Sequence, residues 1–438
     1  MGTASRACFY CLLTVLSLGG AACAQNTSQT IRHHKVEVPG PFPPELTAAE
    51  NAIQKNDYAT AEPLLNQVVT ADPANFQAWF DLGFVENKLN KPQESIAAYR
   101  KSVAAKPDVF ESNLNLGVML ARTGQPDAEQ FLRAATVLKP AANVEEGQAR
   151  AWTALADLVA KDHPEQAIDA YRRAASLQPK DASLHSAQGF LLEKENRFAD
   201  AEEQYRQALA IDPASSEALT GLANIYTRGQ RFADAAGVLR KLAAAHPAEA
   251  GPHLQLGRVL AAMQQTQEAA SEFEAALKLA PDNTAAQREL AELHIAGGEF
   301  AQAEQQYRAL LAASPNDAEL HHGLGVTLLK QRKFADAQQE FLAAVKLKPD
   351  FGAAYGDLAV AAVENKNYAL AIKAADARAR FLPEIPVSYF LRATAYDHLR
   401  DYKQASQNYH KFLDVANGQY PDQEWQARHR LIAIEPKK

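Results

Sequence analysis

Residues 318–351 read AELHHGLGVTLLKQRKFADAQQEFLAAVKLKPDF, and the spacing within this stretch decides the fold. His321, Leu324, Gly325 and Leu328 fall at helical steps, which puts them on one stripe of a first helix. A turn follows at Lys333-Phe334. Ala337, Phe341 and Ala344 then mark a second helix, which Pro349 stops by withholding an amide and pushing Lys348 out of the α region. Gly325 and Ala337 are small where the two helices must approach closely, and Phe341 fills the space between successive units. Asp350, like Asp282 and Asn316 one residue after their own prolines, is placed to help cap the next helix.

The same frame extends in both directions. Prolines stand at Pro73, Pro107, Pro140, Pro179, Pro213, Pro247, Pro281, Pro315, Pro349 and Pro383, at a period of 34 broken in only two intervals. The small position of the first helix is Gly83, Gly117, Gly189 and Gly257, and that of the second is Ala61, Ala201, Ala235, Ala269, Ala303, Ala371 and Ala405. The aromatic position reads Tyr99, Tyr171, Tyr205, Phe273, Tyr307 and Tyr409. Turns repeat as Arg197-Phe198-Ala199-Asp200-Ala201 and Arg231-Phe232-Ala233-Asp234-Ala235. Trp79, Leu82 and Gly83 with Ser95, Tyr99 and Pro107 complete one clear unit.

This pattern resembles the tetratricopeptide repeat (TPR) family. The resemblance implies an all-α fold, a right-handed solenoid superhelix of tandem helix pairs, with about eleven units over residues 45–420. Each unit packs chiefly on its neighbours, so 438 residues read as one array and not as several globular domains.

Three departures stand out. The interval from Pro140 to Pro179 is 39 residues, and the surplus falls at residues 141–148 as either a longer loop or an extra helical turn. The tenth unit has Ala375 and Arg378 where an aromatic and a small residue are expected, so packing near residues 375–380 should be weaker or differently arranged. Residues 421–438 read as a capping helix, with Trp425 and Leu431, and a tail.

Residues 1–24 carry Arg6, an apolar run from Ala7 to Leu18 and small residues to Ala24, the layout of a secretory signal. Two endings stay open: cleavage after Ala22-Cys23-Ala24, or a bacterial lipoprotein site with lipid on Cys23. Localisation is therefore expected to be exported, either periplasmic or extracellular, with lipid anchoring to the outer membrane as the variant. Cys8, Cys11 and Cys23 are the only cysteines, so nothing downstream forms disulfides or thiolate sites. Residues 25–44 mix polar residues, His33-His34 and a proline-rich end, and read as a flexible linker.

Chemistry is not encoded in any recognisable form. The mature chain has no Gly-rich phosphate loop, G-x-S-x-G, H-E-x-x-H or C-x-x-C, and no enzyme activity or cofactor is expected. His321 and His322 are adjacent, about 100° apart on a helix, which does not make a chelating pair, so no metal is expected. A net charge of −7 with dispersed basic residues argues against nucleic acid.

Binding is what the resemblance implies. In the family, first helices line a concave face, and the second, fifth, ninth and twelfth places of each unit reach into it. Here those places include Gln77, Phe80, Phe84, Leu114, Val118, Phe190, Asn224, Leu254, Arg258, Arg288, Glu292, His322, Val326 and Phe390. The apolar members suggest a groove for a polypeptide, with Phe80 and Phe84 sharing a helix face as first anchors. Phe80 with Phe84, Leu114 with Val118 and Thr220 with Asn224 lack the Lys and Asn of the family's carboxylate clamp. The function expected is a protein-binding scaffold in a cell-envelope assembly, with self-association open. The alternative is an accessory of polysaccharide export or synthesis that contacts glycan through Trp79, Trp152 or Trp425.

Overall fold

The computed structural model describes residues 30–33 and 43–435. The expected signal segment, Cys23 and most of the linker lie outside the described residues. Among the described residues there are 23 helices and no strand. They fall into two compact units that divide between His246 and Pro247.

The N-terminal unit contains six helix pairs. The first three are α1 (Pro44–Gln54) with α2 (Tyr58–Ala71), α3 (Phe76–Lys88) with α4 (Pro92–Ala105), and α5 (Phe110–Arg122) with α6 (Ala128–Val137). They continue as α7 (Val144–Val159) with α8 (Pro164–Leu177), α9 (Ala182–Lys194) with α10 (Phe198–Ile211), and α11 (Ser216–Arg228) with α12 (Phe232–Ala245). Within the unit each second helix packs on the first helix of the following pair.

The C-terminal unit contains five pairs and a final helix. These are α13 (Ala250–Ala262) with α14 (Thr266–Leu279), α15 (Thr284–Gly297) with α16 (Phe300–Ala313), and α17 (Ala318–Lys330) with α18 (Phe334–Leu347). Next come α19 (Gly352–Glu364) with α20 (Tyr368–Arg378), α21 (Pro386–His398) with α22 (Tyr402–Ala416), and lastly α23 (Pro421–Ile434).

The period of the sequence reappears in the backbone. Asn196, Gln230, Gln264, Gly298, Arg332, Lys366 and Arg400 follow one another at 34-residue steps, and all have φ between 56° and 80°. Each reverses the chain at the end of a first helix, where the next amide reaches back to a carbonyl five residues earlier. Arg197 N donates to Leu192 O at 2.8 Å and Lys333 N to Leu328 O at 2.9 Å. This left-handed exit satisfies carbonyls that the helix end leaves open.

Glycine and aromatic positions meet as the spacing requires. A Cβ on Gly325 would lie 2.7 Å from Phe341, and one on Gly257 would lie 2.8 Å from Phe273. Phe341 and Phe273 are both almost wholly buried, and each such ring contributes about 1.5–3 kcal/mol by leaving water.

Capping differs in register from expectation. The side chains that cap α15 and α17 are Asn283 and Asp317, which accept from Ala286 N at 3.1 Å and Leu320 N at 3.2 Å. They stand two residues after proline, not one. Asp350 does not cap α19, whose N-cap is Phe351, without a side-chain bond.

The irregular intervals have structural causes. The long interval lengthens α7 to 16 residues against 13 in α3 and α5, and Asn143 turns the chain with φ 48° just before it. In the tenth pair α20 stops after 11 residues. Arg378 then donates to Pro383 O at 2.8 Å, Phe381 stacks on Tyr355 at 6.1 Å, and Leu382 packs over Gly352. At the end of the C-terminal unit α23 buries Ala427 and Leu431 against the core that holds Phe412, while Trp425 is 61% exposed.

Candidate functional site

Residues Thr30–His33 lie across the first helices of three successive pairs in the N-terminal unit. Their backbone carbonyls are held by side chains: Arg150 Nη2 on α7 donates to Thr30 O at 2.6 Å, and Asn115 Nδ2 on α5 donates to Arg32 O at 3.1 Å. Their side chains are held as well. Ile31 is buried, Arg32 pairs with Glu146 on α7, and His33 Nε2 sits 2.6 Å from Asp81 Oδ1 on α3. The His33 ring packs on Phe84 and Phe80, with centroids 5.0 and 5.9 Å apart.

The segment thus runs from α7 back to α3, opposite to the order of the pairs. Thr30 and Arg32 are two residues apart, the spacing that turns alternate carbonyls of an extended chain to one side. The matching donors come from consecutive first helices, Asn115 from α5 and Arg150 from α7.

The lining is acidic. Asp81, Glu111 and Glu50 are buried polar residues of this unit, and Glu146 is partly exposed. Gln77 Nε2 donates to Glu50 at 2.8 Å, and the amide of Ala141 donates to Glu111 at 2.7 Å. A shallow pocket beside Arg32 is walled by Phe110, Glu111, Pro140, Glu146, Gly147 and Arg150. Burial pushes the Arg150 guanidinium down to about 10, with help from the charge of Arg32, so it remains a cation at neutral pH.

The expected inner-face residues fall into distinct surroundings. In the N-terminal unit Phe80 and Phe84 are buried under His33, and Leu114 and Val118 are buried on α5. Phe190 is half-buried on α9 with Lys194 Nζ 4.5 Å over its ring, and Asn224 is half-buried on α11.

In the C-terminal unit Arg258 on α13 bonds Glu289 on α15 at 2.7 Å, and Arg288 on α15 lies 3.7 Å from Asp317, which caps α17. His322 on α17 meets Asp357 on α19 at 2.8 Å and packs on Phe341 and Phe351. These pairs link successive first helices as a polar ladder, with half-buried Leu254 and Val326 beside it. Glu292, on the same face of α15, has its carboxyl raised by burial and by Glu289. Phe390 packs inward on Phe412 at 5.1 Å and Tyr409 at 6.1 Å.

His321 is engaged by Glu340 at 2.6 Å and by Pro315 O at 3.0 Å, separately from His322. Among the described residues no group of histidine, cysteine or carboxylate side chains is arranged to hold a metal, and no helix is long and apolar enough to cross a membrane.

Asp81, Asn115, Glu146 and Arg150 were not singled out from the sequence. The usable signal was the long interval before Pro179, which carries Glu146, together with the basic run Arg32-His33-His34-Lys35 far upstream.

Two family models, both described as tetratricopeptide repeat, match the chain. One matches residues 192–258 and 260–325, the other residues 46–110, 85–143 and 322–386, together more than half of the length. Tetratricopeptide repeat protein 37 of Xenopus laevis is 30% identical over 87 residues, 20% of this chain and 6% of that protein. Among solved structures, YrrB, described as a TPR protein with an unusual peptide-binding site, is 22% identical with a TM-score of 0.40, covering 46% of this chain and 99% of its own. The Cut9-Hcn1 hetero-tetramer of APC/C matches at 14% identity and a TM-score of 0.42, over 88% of this chain and 96% of its own. Yeast Tom70 matches at 15% identity and a TM-score of 0.35, over 89% and 94%.

Proposed function

Because the chain belongs to the tetratricopeptide repeat family, we propose that it is a non-enzymatic scaffold which holds an extended polypeptide across the first-helix face of its N-terminal unit. The observation that supports this reading is the seat of Thr30–His33, where Arg150 and Asn115 grip main-chain carbonyls. Main-chain grips accept any extended polypeptide, and the neighbouring side chains then select among sequences.

The setting we propose is a cell-envelope assembly reached by export, on the strength of the layout of residues 1–24. A glycan-contacting accessory is the weaker reading. Trp79 is only partly exposed, Trp152 carries Arg173 over its ring at 4.8 Å, and Trp425 has the His429 ring against it at 3.9 Å, so the three do not form a shared open stacking platform.

A photoreactive phenylalanine analogue at position 190 on α9, compared with one at Glu203 on the exposed side of α10, tests the reading in envelope extracts. Polypeptide adducts should form from position 190 and not from position 203. Equal adducts from both sites, or none from either, would contradict it.

A further inference from the structure

We infer that Ile31-Arg32-His33 is a resident occupant of the N-terminal first-helix face, and that a partner displaces it with an extended segment of the same chemistry: an apolar residue, an arginine and a histidine in succession.

The contacts divide into two kinds. Carbonyl contacts from Arg150 and Asn115 are indifferent to sequence, whereas Arg32 with Glu146 and His33 with Asp81 require cationic or hydrogen-bonding side chains at consecutive places. The two carboxylates lie on α7 and α3, with Asn115 between them on α5, so register is fixed at three points. Aromatic packing of His33 on Phe84 and Phe80 adds a flat ring to what the third place favours. An acidic lining selects against acidic segments by leaving two carboxylates facing a third.

The occupant sits in the same chain as its site. Tethering makes binding intramolecular, so the occupant competes through an effective concentration and not through its bulk one. A segment offered in trans therefore competes against a standing occupant, and its apparent affinity is scaled down by the fraction of sites left open. Arg32 and Glu146 are 39% and 43% exposed, so the pair that anchors the occupant is weak enough to exchange.

This inference rests on the reading of the face as a polypeptide site. The probe is a fluorescein-labelled peptide of residues 28–35, SQTIRHHK, titrated by fluorescence anisotropy into the full chain and into the full-chain double variant Ile31→Asp, Arg32→Glu. Circular dichroism confirms equal helix content, and Arg32→Glu alone serves if the double variant is impaired. Binding should be at least tenfold tighter to the released variant, absent for a scrambled peptide, and weakened on adding Glu146→Ala. Equal binding to both proteins, or none to the released variant, would overturn the inference. If that happens while position 190 still cross-links to polypeptide, the choice of segment fails and the binding face stands.

Discussion

Tyr205 on α10 stands between two glycines of different helix pairs: a Cβ on Gly189 would come within 2.9 Å of its ring, and one on Gly221 within 2.1 Å. The first contact closes the pair α9–α10, and the second seats the next pair on it. The Tyr205 hydroxyl donates to Glu193 at 3.1 Å, and burial raises that carboxyl above its usual range. One ring thus sets both the spacing within a unit and the spacing between units.

Two glycine substitutions should therefore have opposite signs. Gly→Ala within a helix ordinarily stabilises by about 0.5–1 kcal/mol. Gly237 on α12 has nothing within 4 Å of its Cβ position, so Gly237→Ala should gain that amount. Gly221→Ala drives a methyl into Tyr205 and should cost about 1–3 kcal/mol. Urea melts of the two variants check this, and shifts of the same sign would contradict the packing role given to Tyr205.

Glu86 on α3 gives a pH dependence. Burial, followed by the charges of Glu62 and Glu94, pushes its carboxyl up to about 7 against the opposing pull of Lys91. A folded value above the unfolded one means that the stability is fully present below about 4.5 and is lost as pH rises through about 7. Glu86→Gln should be close to neutral at pH 4 and stabilising by about 1–3 kcal/mol at pH 8. Thermal melts at the two values decide the matter, and a variant with no pH-dependent difference from the parent would refute it.

Arg430 on α23 holds Asp397 on α21 through two bonds of 2.6 and 2.7 Å. The Asp397 carboxylate is nearly buried and also accepts from Tyr409 at 3.3 Å. Arg430→Ala leaves that charge without its cation, and an expected loss of about 1–3 kcal/mol should appear as early unfolding of the C-terminal unit. Hydrogen exchange of α22 and α23 reads it directly, and unchanged protection would argue that the final helix is held by Leu431 and Ala427 alone.

The repeat was legible because its determinants are local and periodic: Gly325 faces Phe341 sixteen residues on, in a phase that other units share. Cap positions were less so. Asp282 and Asn283, or Asn316 and Asp317, are adjacent capping residue types, and only backbone geometry selects the second of each pair. The occupied face left almost no trace. Arg32 and Glu146 are separated by 114 residues and belong to no shared period. Position rules named Phe80 and Phe84 as anchors, yet they do not carry the chain's own residues 30–33 onto them. They also treat Arg258, Arg288 and His322 as groove residues, whereas Glu289, Asp317 and Asp357 draw those side chains into links between first helices.

Zero-length carbodiimide coupling of the full chain carrying Arg32→Lys tests the central claim most directly, because it joins an amine and a carboxylate only where they touch. Lys91 with Glu62, at 2.6 Å within the same unit, supplies an internal control. Mass spectrometry should find position 32 joined to Glu146, at a yield that falls when excess SQTIRHHK peptide is present. Coupling of Lys91 to Glu62 without any product between position 32 and Glu146 would show that the first-helix face does not hold this polypeptide.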